Sequence, residues 1–206
     1  RGEFGEGFAG TGPMSYEVGM VGGDRVDAVV HHGRVSDLVV IGQSEDSNKT
    51  DTIVRALAEH VLMDVGRPVM VVPSAGTFDE VPKGILVAWD GSREAAVAVQ
   101  AALPALRRAA RVTLVSLRHP NDEDNAQRLL TADMVQYLLR HGVQARAELQ
   151  VTEIDIADAL LSRISDLDAD LLVMGGYGHS RLRERLLGGV TRQVLAQMTV
   201  PVLMAH

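Results

Sequence analysis

The chain has 206 residues, room for one large domain or two small ones, and 46% of them are hydrophobic. Aromatic residues make up only 3% and the formal net charge is -7, so stacking platforms are scarce, no basic face is expected, and nucleic acid is disfavoured as a partner. Cysteine is absent, which excludes disulfides and thiolate metal sites and permits a reducing cytoplasm; apolar runs such as Val69–Val72 are too short to span a bilayer, so no membrane partner is expected.

Residues 1–14 are glycine-rich without an apolar run and read as a flexible lead-in, not a signal peptide. Residues 15–74 follow, with a strand expected at Tyr16–Val21 and a helix at Arg25–His32. A buried strand at Asp37–Gly42, a helix spanning Ile53–Leu62 and a closing strand opened by Pro68 complete this stretch, and 75–82 read as a linker. Next, Gly84–Trp89 predicts a strand running into Asp90-Gly91-Ser92, where Ser92 can cap a helix with Ala95, Ala96, Val99, Ala102, Leu103 and Leu106 on one face. Arg111–Leu117 is a further strand, and Asn125–Arg140 a helix stopped by Gly142. Ala145–Val151 alternates as a strand whose apolar face would carry Ala145, Ala147, Leu149 and Val151. Asp155–Asp166 is a helix with Ile156, Ala159, Leu160 and Ile164 apolar, followed by a strand at Asp170–Gly175 and a last strand opened by Pro201.

An internal repeat organises these elements. Asp37-Leu38-Val39-Val40-Ile41-Gly42 returns as Asp170-Leu171-Leu172-Val173-Met174-Gly175, an offset of 133 residues. At the same offset Arg67-Pro68-Val69-Met70-Val71 returns as Val200-Pro201-Val202-Leu203-Met204, and Val61-Leu62 as Val194-Leu195. Upstream of Asp37, however, the sequence given holds no counterpart to Ile85–Trp89 or Arg111–Leu117. Two readings stay open: residues preceding Arg1 in a longer chain, or a natural remnant. Without those elements 15–74 should be less stable than 83–206, or borrow cover from another chain. Alternating strands and helices in 83–206 predict an open parallel five-stranded sheet with helices on both faces, preceded by a partial second copy.

The chemistry-bearing pattern lies at the ends of two of these strands. Gly175-Gly176-Tyr177-Gly178 is followed, after nine residues, by Gly188-Gly189-Val190-Thr191. A strand that enters a glycine loop and then a helix lets backbone N–H groups approach an anion. Asp90 ends the first strand at the same carboxyl edge, where a carboxylate can accept hydrogen bonds from ribose hydroxyls; alone, it is more often a helix-start residue. Gly176-Tyr177-Gly178-His179-Ser180-Arg181 is no dinucleotide fingerprint, since Arg181 replaces its last glycine, and no P-loop motif occurs. His179 and the arginines 181, 183 and 185 read as a solvated loop.

The strand ending in Asp90, the Gly-x2-Gly-x9-Gly loop and the closing Pro-Val-Leu strand together resemble the universal stress protein family, across 83–206 and the back half of a second such domain at 15–74. The resemblance implies a Rossmann-like sheet of the adenine nucleotide α-hydrolase type in the order 3-2-1-4-5. It also implies that the two closing strands pair antiparallel within the chain, with Val69, Val71, Val202 and Met204 buried at the seam. Its nucleotide-binding members imply ATP or a related adenine nucleotide as ligand, with Mg able to accompany it. The implied contacts are Asp90 for ribose, backbone near Ala88 and Leu117 for adenine, and Gly175, Gly178, Gly188, Gly189, Val190 and Thr191 for phosphates. Gly189 departs from the usual Ser or Thr at its position and removes a hydroxyl, which Thr191 would partly replace.

The resulting expectation is a cytoplasmic stress-response protein that binds one adenine nucleotide per chain as a signal. The first copy keeps Gly42 but places Glu45, Arg55, Ala56 and Ala58 at the later phosphate positions. The alternative is a nucleotide-free interaction module acting through dimerisation with a second copy of itself. No nucleophile with a base and an orienting group stands out, so at most slow ATP hydrolysis is expected.

Overall fold

A computed structural model of the chain describes residues 18–43, 50–120, 124–178 and 189–206. In chain order the elements are α1 (Arg25–Gly33), β1 (Val39–Gly42), α2 (Thr50–Asp64), β2 (Val69–Val72), β3 (Gly84–Ala88), α3 (Arg93–Leu106) and β4 (Arg111–Arg118). Then come α4 (Asp124–Arg140), β5 (Ala145–Val151), α5 (Ile156–Asp166), β6 (Leu171–Gly175), α6 (Gly189–Gln197) and β7 (Val202–Ala205). All seven strands form one sheet, in the order β1-β2-β7-β6-β3-β4-β5. Its last five members are the expected 3-2-1-4-5 arrangement of parallel strands.

The sheet grows from five strands to seven because the partial copy joins it edge to edge. β2 pairs antiparallel with β7, in the register Val69↔Met204, Met70↔Leu203 and Val71↔Val202. Met70 and Leu203 are equivalent positions of the repeat, so the pseudo-two-fold axis passes between them. Val69, Val71, Val202 and Met204 are all buried at this seam, as the family resemblance implied. The axis continues through the helices: Glu59 of α2 and Arg192 of α6, also equivalent, form a two-pronged ion pair of 3.1 and 3.2 Å.

Two cores lie on the two faces of the sheet. One, under α1, α2, α5 and α6, runs across both copies and joins Val61, Leu62, Val69 and Val71 to Val194, Leu195, Val202 and Met204. The other lies under α3 and α4 and is built from Ile85, Val87, Val99, Leu106, Leu114, Leu138 and Val173. Caps define the helices that flank the site. Ser92 Oγ accepts the Ala95 N–H at 3.1 Å to start α3, and Asp155 Oδ1 accepts the Ala157 N–H at 2.8 Å to start α5. Gly142, with φ of +78°, ends α4 in the left-handed conformation that a side chain would resist.

One expectation is corrected. No strand occurs at residues 18–21, which are exposed; Tyr16 and Glu17 lie outside the described residues. β5 is an edge strand, and its apolar face is only partly covered: Leu149 and Val151 are 40% and 54% exposed, while Glu148 and Gln150 on the other face are half-buried. Glu148 is drawn inward by an ion pair with Arg163 of α5, a charge contact that alternation alone does not register.

Among the described residues β1 has a neighbour on one side only and no counterpart of α3 crosses it, and Val40 is 59% exposed. Fewer apolar contacts hold this strand, so its local opening costs less. Amide hydrogen exchange should therefore be faster at Val39–Ile41 than at Leu171–Val173, by about tenfold or more. Equal protection in the two strands would contradict this account.

Candidate functional site

β3 and β6 are adjacent and parallel, but the chain leaves them in opposite directions, through β4 and β5 on one side and β7 on the other. Strand order thus reverses between them, which makes their carboxyl ends, at Ala88 and Gly175, the switch point outside which open α/β sheets hold ligands. Asp90 is exposed beside this point, and its Oδ1 accepts the Ser92 N–H at 2.9 Å. Gly91 takes a φ of +78° to let the turn feed α3. Ala88 and Leu117 are half-buried and pack on the same core, the one under α5 and α6. The Trp89 N–H donates to the Val115 carbonyl at 2.8 Å, which extends the β3–β4 ladder to the switch point.

The glycine loop is threaded between two helices. A Cβ placed on Gly175 would lie 2.6 Å from the Ala95 backbone N and 3.0 Å from the Glu94 Cβ, so the first turn of α3 leaves no room for a side chain. On Gly176 it would lie 2.5 Å from Leu62 Cδ2 of α2. On Gly178 the nearest atom is Glu94 Oε2 at 3.5 Å, with Ser92 close behind. Tyr177 sits between these glycines with φ of +54°, a conformation that non-glycine residues seldom adopt. Its N–H donates to Thr191 Oγ1 at 3.4 Å, and its ring packs into the core shared by both copies. The buried Tyr177 hydroxyl has no hydrogen bond of good geometry. Burial, with the Glu59 carboxylate nearby, holds that phenol well above its usual pKa.

Of the expected phosphate residues, Gly189 opens α6 and is exposed, Val190 is half-buried, and Thr191 is 4% exposed. Thr191 therefore faces inward and ties Tyr177 to α6. Gly188, His179 and the three arginines 181, 183 and 185 lie outside the described residues. Three contributors escaped the sequence reading: Glu94, Leu62 and Glu59. Glu94 looked like an ordinary acidic residue in a first helical turn. The pairing of Glu59 with Arg192 was open to detection, because equivalent repeat positions carry opposite charges.

The described residues of the first copy do not repeat this construction. Gly42, equivalent to Gly175, has none of them within 4 Å of its Cβ position. Gln43 replaces Gly176 and keeps the same backbone bond, its N–H donating to Val72 O at 2.8 Å as that of Gly176 donates to Ala205 O at 2.9 Å. Its side chain reaches over the seam to the Leu195 carbonyl at 2.7 Å. Glu45 lies outside the described residues. Among those described, no helix is long and apolar enough to cross a membrane.

Open parallel order, a switch point and a glycine loop define a Rossmann-like α/β protein. Residues 82–206 match the model of the universal stress protein family, and the chain belongs to that family. It is 29% identical over 170 residues to a universal stress protein of Synechocystis sp., an alignment covering 81% of this chain and 57% of the relative. A universal stress protein of Archaeoglobus fulgidus superposes with a TM-score of 0.70 at 18% identity, over 88% of this chain and 65% of that one. Another, in complex with cAMP, gives 0.50 at 23% identity, over 62% of this chain and 99% of that one. The chain thus spans 57% and 65% of the lengths of the first two.

The contrast between the copies is open to a paired measurement. Gly175→Ala should lower stability by about 1–3 kcal/mol, because its methyl meets backbone that cannot yield. Gly42→Ala should be close to neutral, since no described residue lies within 4 Å of its Cβ position. Thermal melts of the two variants check this, and equal losses would contradict the stated packing.

Proposed function

We propose that residues 83–206 bind ATP or a related adenine nucleotide as a regulatory signal, with slow or no turnover, in a cytoplasmic stress-response protein. The observation that carries this reading is the pairing of two turns at one switch point: the Asp90 turn after β3 and the glycine loop after β6. Family membership supports it, as does the relative in complex with cAMP. In this reading Asp90 holds the ribose and backbone near Ala88 and Leu117 frames the adenine. Gly175 and Gly178 admit phosphate against the loop, and the start of α6 at Gly189 and Val190 offers unpaired N–H groups. Gly188 would join them, and Mg would accompany the phosphates. Residues 15–74 act as a partial repeat joined by a linker at 75–82, and no second site is expected there, since Glu45, Arg55, Ala56 and Ala58 stand at the equivalents of Gly178, Gly188, Gly189 and Thr191.

Calorimetry with ATP tests this directly. One nucleotide per chain is expected, and Asp90→Ala should weaken binding by about 1–3 kcal/mol through lost hydrogen bonds. Two equivalent sites would refute the asymmetry between the copies. A nucleotide-free module that dimerises with a second copy is the competing reading, favoured by the inward-facing Thr191 and the missing hydroxyl at Gly189. Absence of any binding would decide for it.

The same position offers a gain-of-function test. Nothing among the described residues lies within 4 Å of the Gly189 Cβ position, so a serine fits there without repacking. Gly189→Ser should tighten nucleotide binding by about 1.5–3 kcal/mol if its hydroxyl reaches phosphate. Unchanged affinity in a folded variant would show that phosphate does not pass this helix start.

A further inference from the structure

Glu94 is the least expected group near the switch point. It is 2% exposed, on the first turn of α3, and its Oε1 pairs with Arg93 Nη2 at 3.2 Å. Oε2 is buried and has no hydrogen-bond partner. That oxygen lies 3.5 Å from the Cβ position of Gly178, with Ser92 Oγ at 3.9 Å from the same point, so it faces the glycine loop. A buried carboxylate oxygen without a partner is costly, and such a group is normally completed by a proton donor or a cation.

The neighbourhood selects between these. Asp90 is exposed, whereas Glu94 lies deeper, against the glycine through which phosphate would approach. A polyphosphate brings no proton donor there, and its negative charge would be repelled by the carboxylate. A hard divalent cation bridging phosphate and carboxylate oxygens removes the conflict. Mg2+ is commonly held this way, by one or two carboxylates together with phosphates and water. Among the described residues no group of three His, Asp or Glu side chains forms a protein-only cage, so the phosphates would have to complete the site.

We propose that Glu94 is a ligand for a divalent cation carried on the nucleotide phosphates, so that this chain takes its nucleotide as a metal chelate and rejects the free polyanion. The inference rests on the nucleotide reading above and deepens it by naming the form of ligand accepted. Oε2 completes the cation's shell while Oε1 keeps its contact with Arg93. Ser92 caps α3 beside it and fixes the backbone from which the carboxylate projects.

The test is calorimetry of the full chain with ATP in excess Mg2+ and in EDTA, for the wild type and for Glu94→Gln. Wild-type protein should bind at least tenfold more tightly with Mg2+. The variant should bind more weakly than wild type in Mg2+, having lost a ligand, and more tightly than wild type in EDTA, having lost a repelling charge. A purely structural role would weaken binding in both conditions, and that result overturns the proposal. Equal wild-type affinity with and without Mg2+ also overturns it while leaving the nucleotide reading intact. No wild-type binding in either condition overturns both. The wild-type comparison stands even if the variant does not fold.

Discussion

β2 and β7 each close one copy of the repeat, and each alone would end its sheet with a row of unpaired N–H and C=O groups. Pairing them antiparallel satisfies both edges and places Met70 against its own equivalent, Leu203. Once that ladder forms, α2 and α6 must lie side by side across the same axis, and their facing side chains share one core. The partial copy is therefore an extension of the complete sheet, with its apolar contents continuous across the seam. Divergence at the axis reinforces the arrangement. A homotypic contact there would oppose Glu59 to glutamate or Arg192 to arginine, whereas the chain has one of each.

The seam also shapes the surroundings of the glycine loop, which belong to the second copy in sequence but not wholly in space. Leu62, from the first copy, fills the space a side chain on Gly176 would need, and Glu59 lies beside the Tyr177 hydroxyl. On the other flank, α3 presses on Gly175 through the backbone of its first turn. Packing from both sides explains how Tyr177 persists in the left-handed region, where local preference would not keep it. Two of the buried side-chain atoms left without a hydrogen bond, Glu94 Oε2 and Tyr177 Oη, flank this one loop. Such atoms reduce stability, and their gathering around a single loop marks it as the place where packing has been set against local satisfaction.

The two copies differ at this loop. β1 and β2 reproduce β6 and β7 closely, down to the backbone bond after the terminal glycine. Among the described residues nothing approaches the Cβ position of Gly42, whereas the first turn of α3 closes on that of Gly175.

Much of this was legible in the residues alone. The antiparallel seam was implied by the family resemblance, whereas the 133-residue offset, the alternation of strands and helices and the cap at Ser92 rest on local periodicity or on equivalence within the chain. Those signals survive without coordinates because backbone geometry fixes their spacing. Asp90 and the glycine loop stood out as candidates likewise, since a strand ending in glycine or aspartate before a helix is a local pattern. What only the tertiary structure decided concerns direction and depth. Thr191 turns inward to Tyr177, Glu94 is buried with one oxygen unpaired, and Leu149 and Val151 remain exposed while Glu148 is drawn in by Arg163. Each outcome depends on which distant helix lies over the residue. Neighbours brought together by the sheet's strand order leave no spacing in the sequence from which that covering can be read.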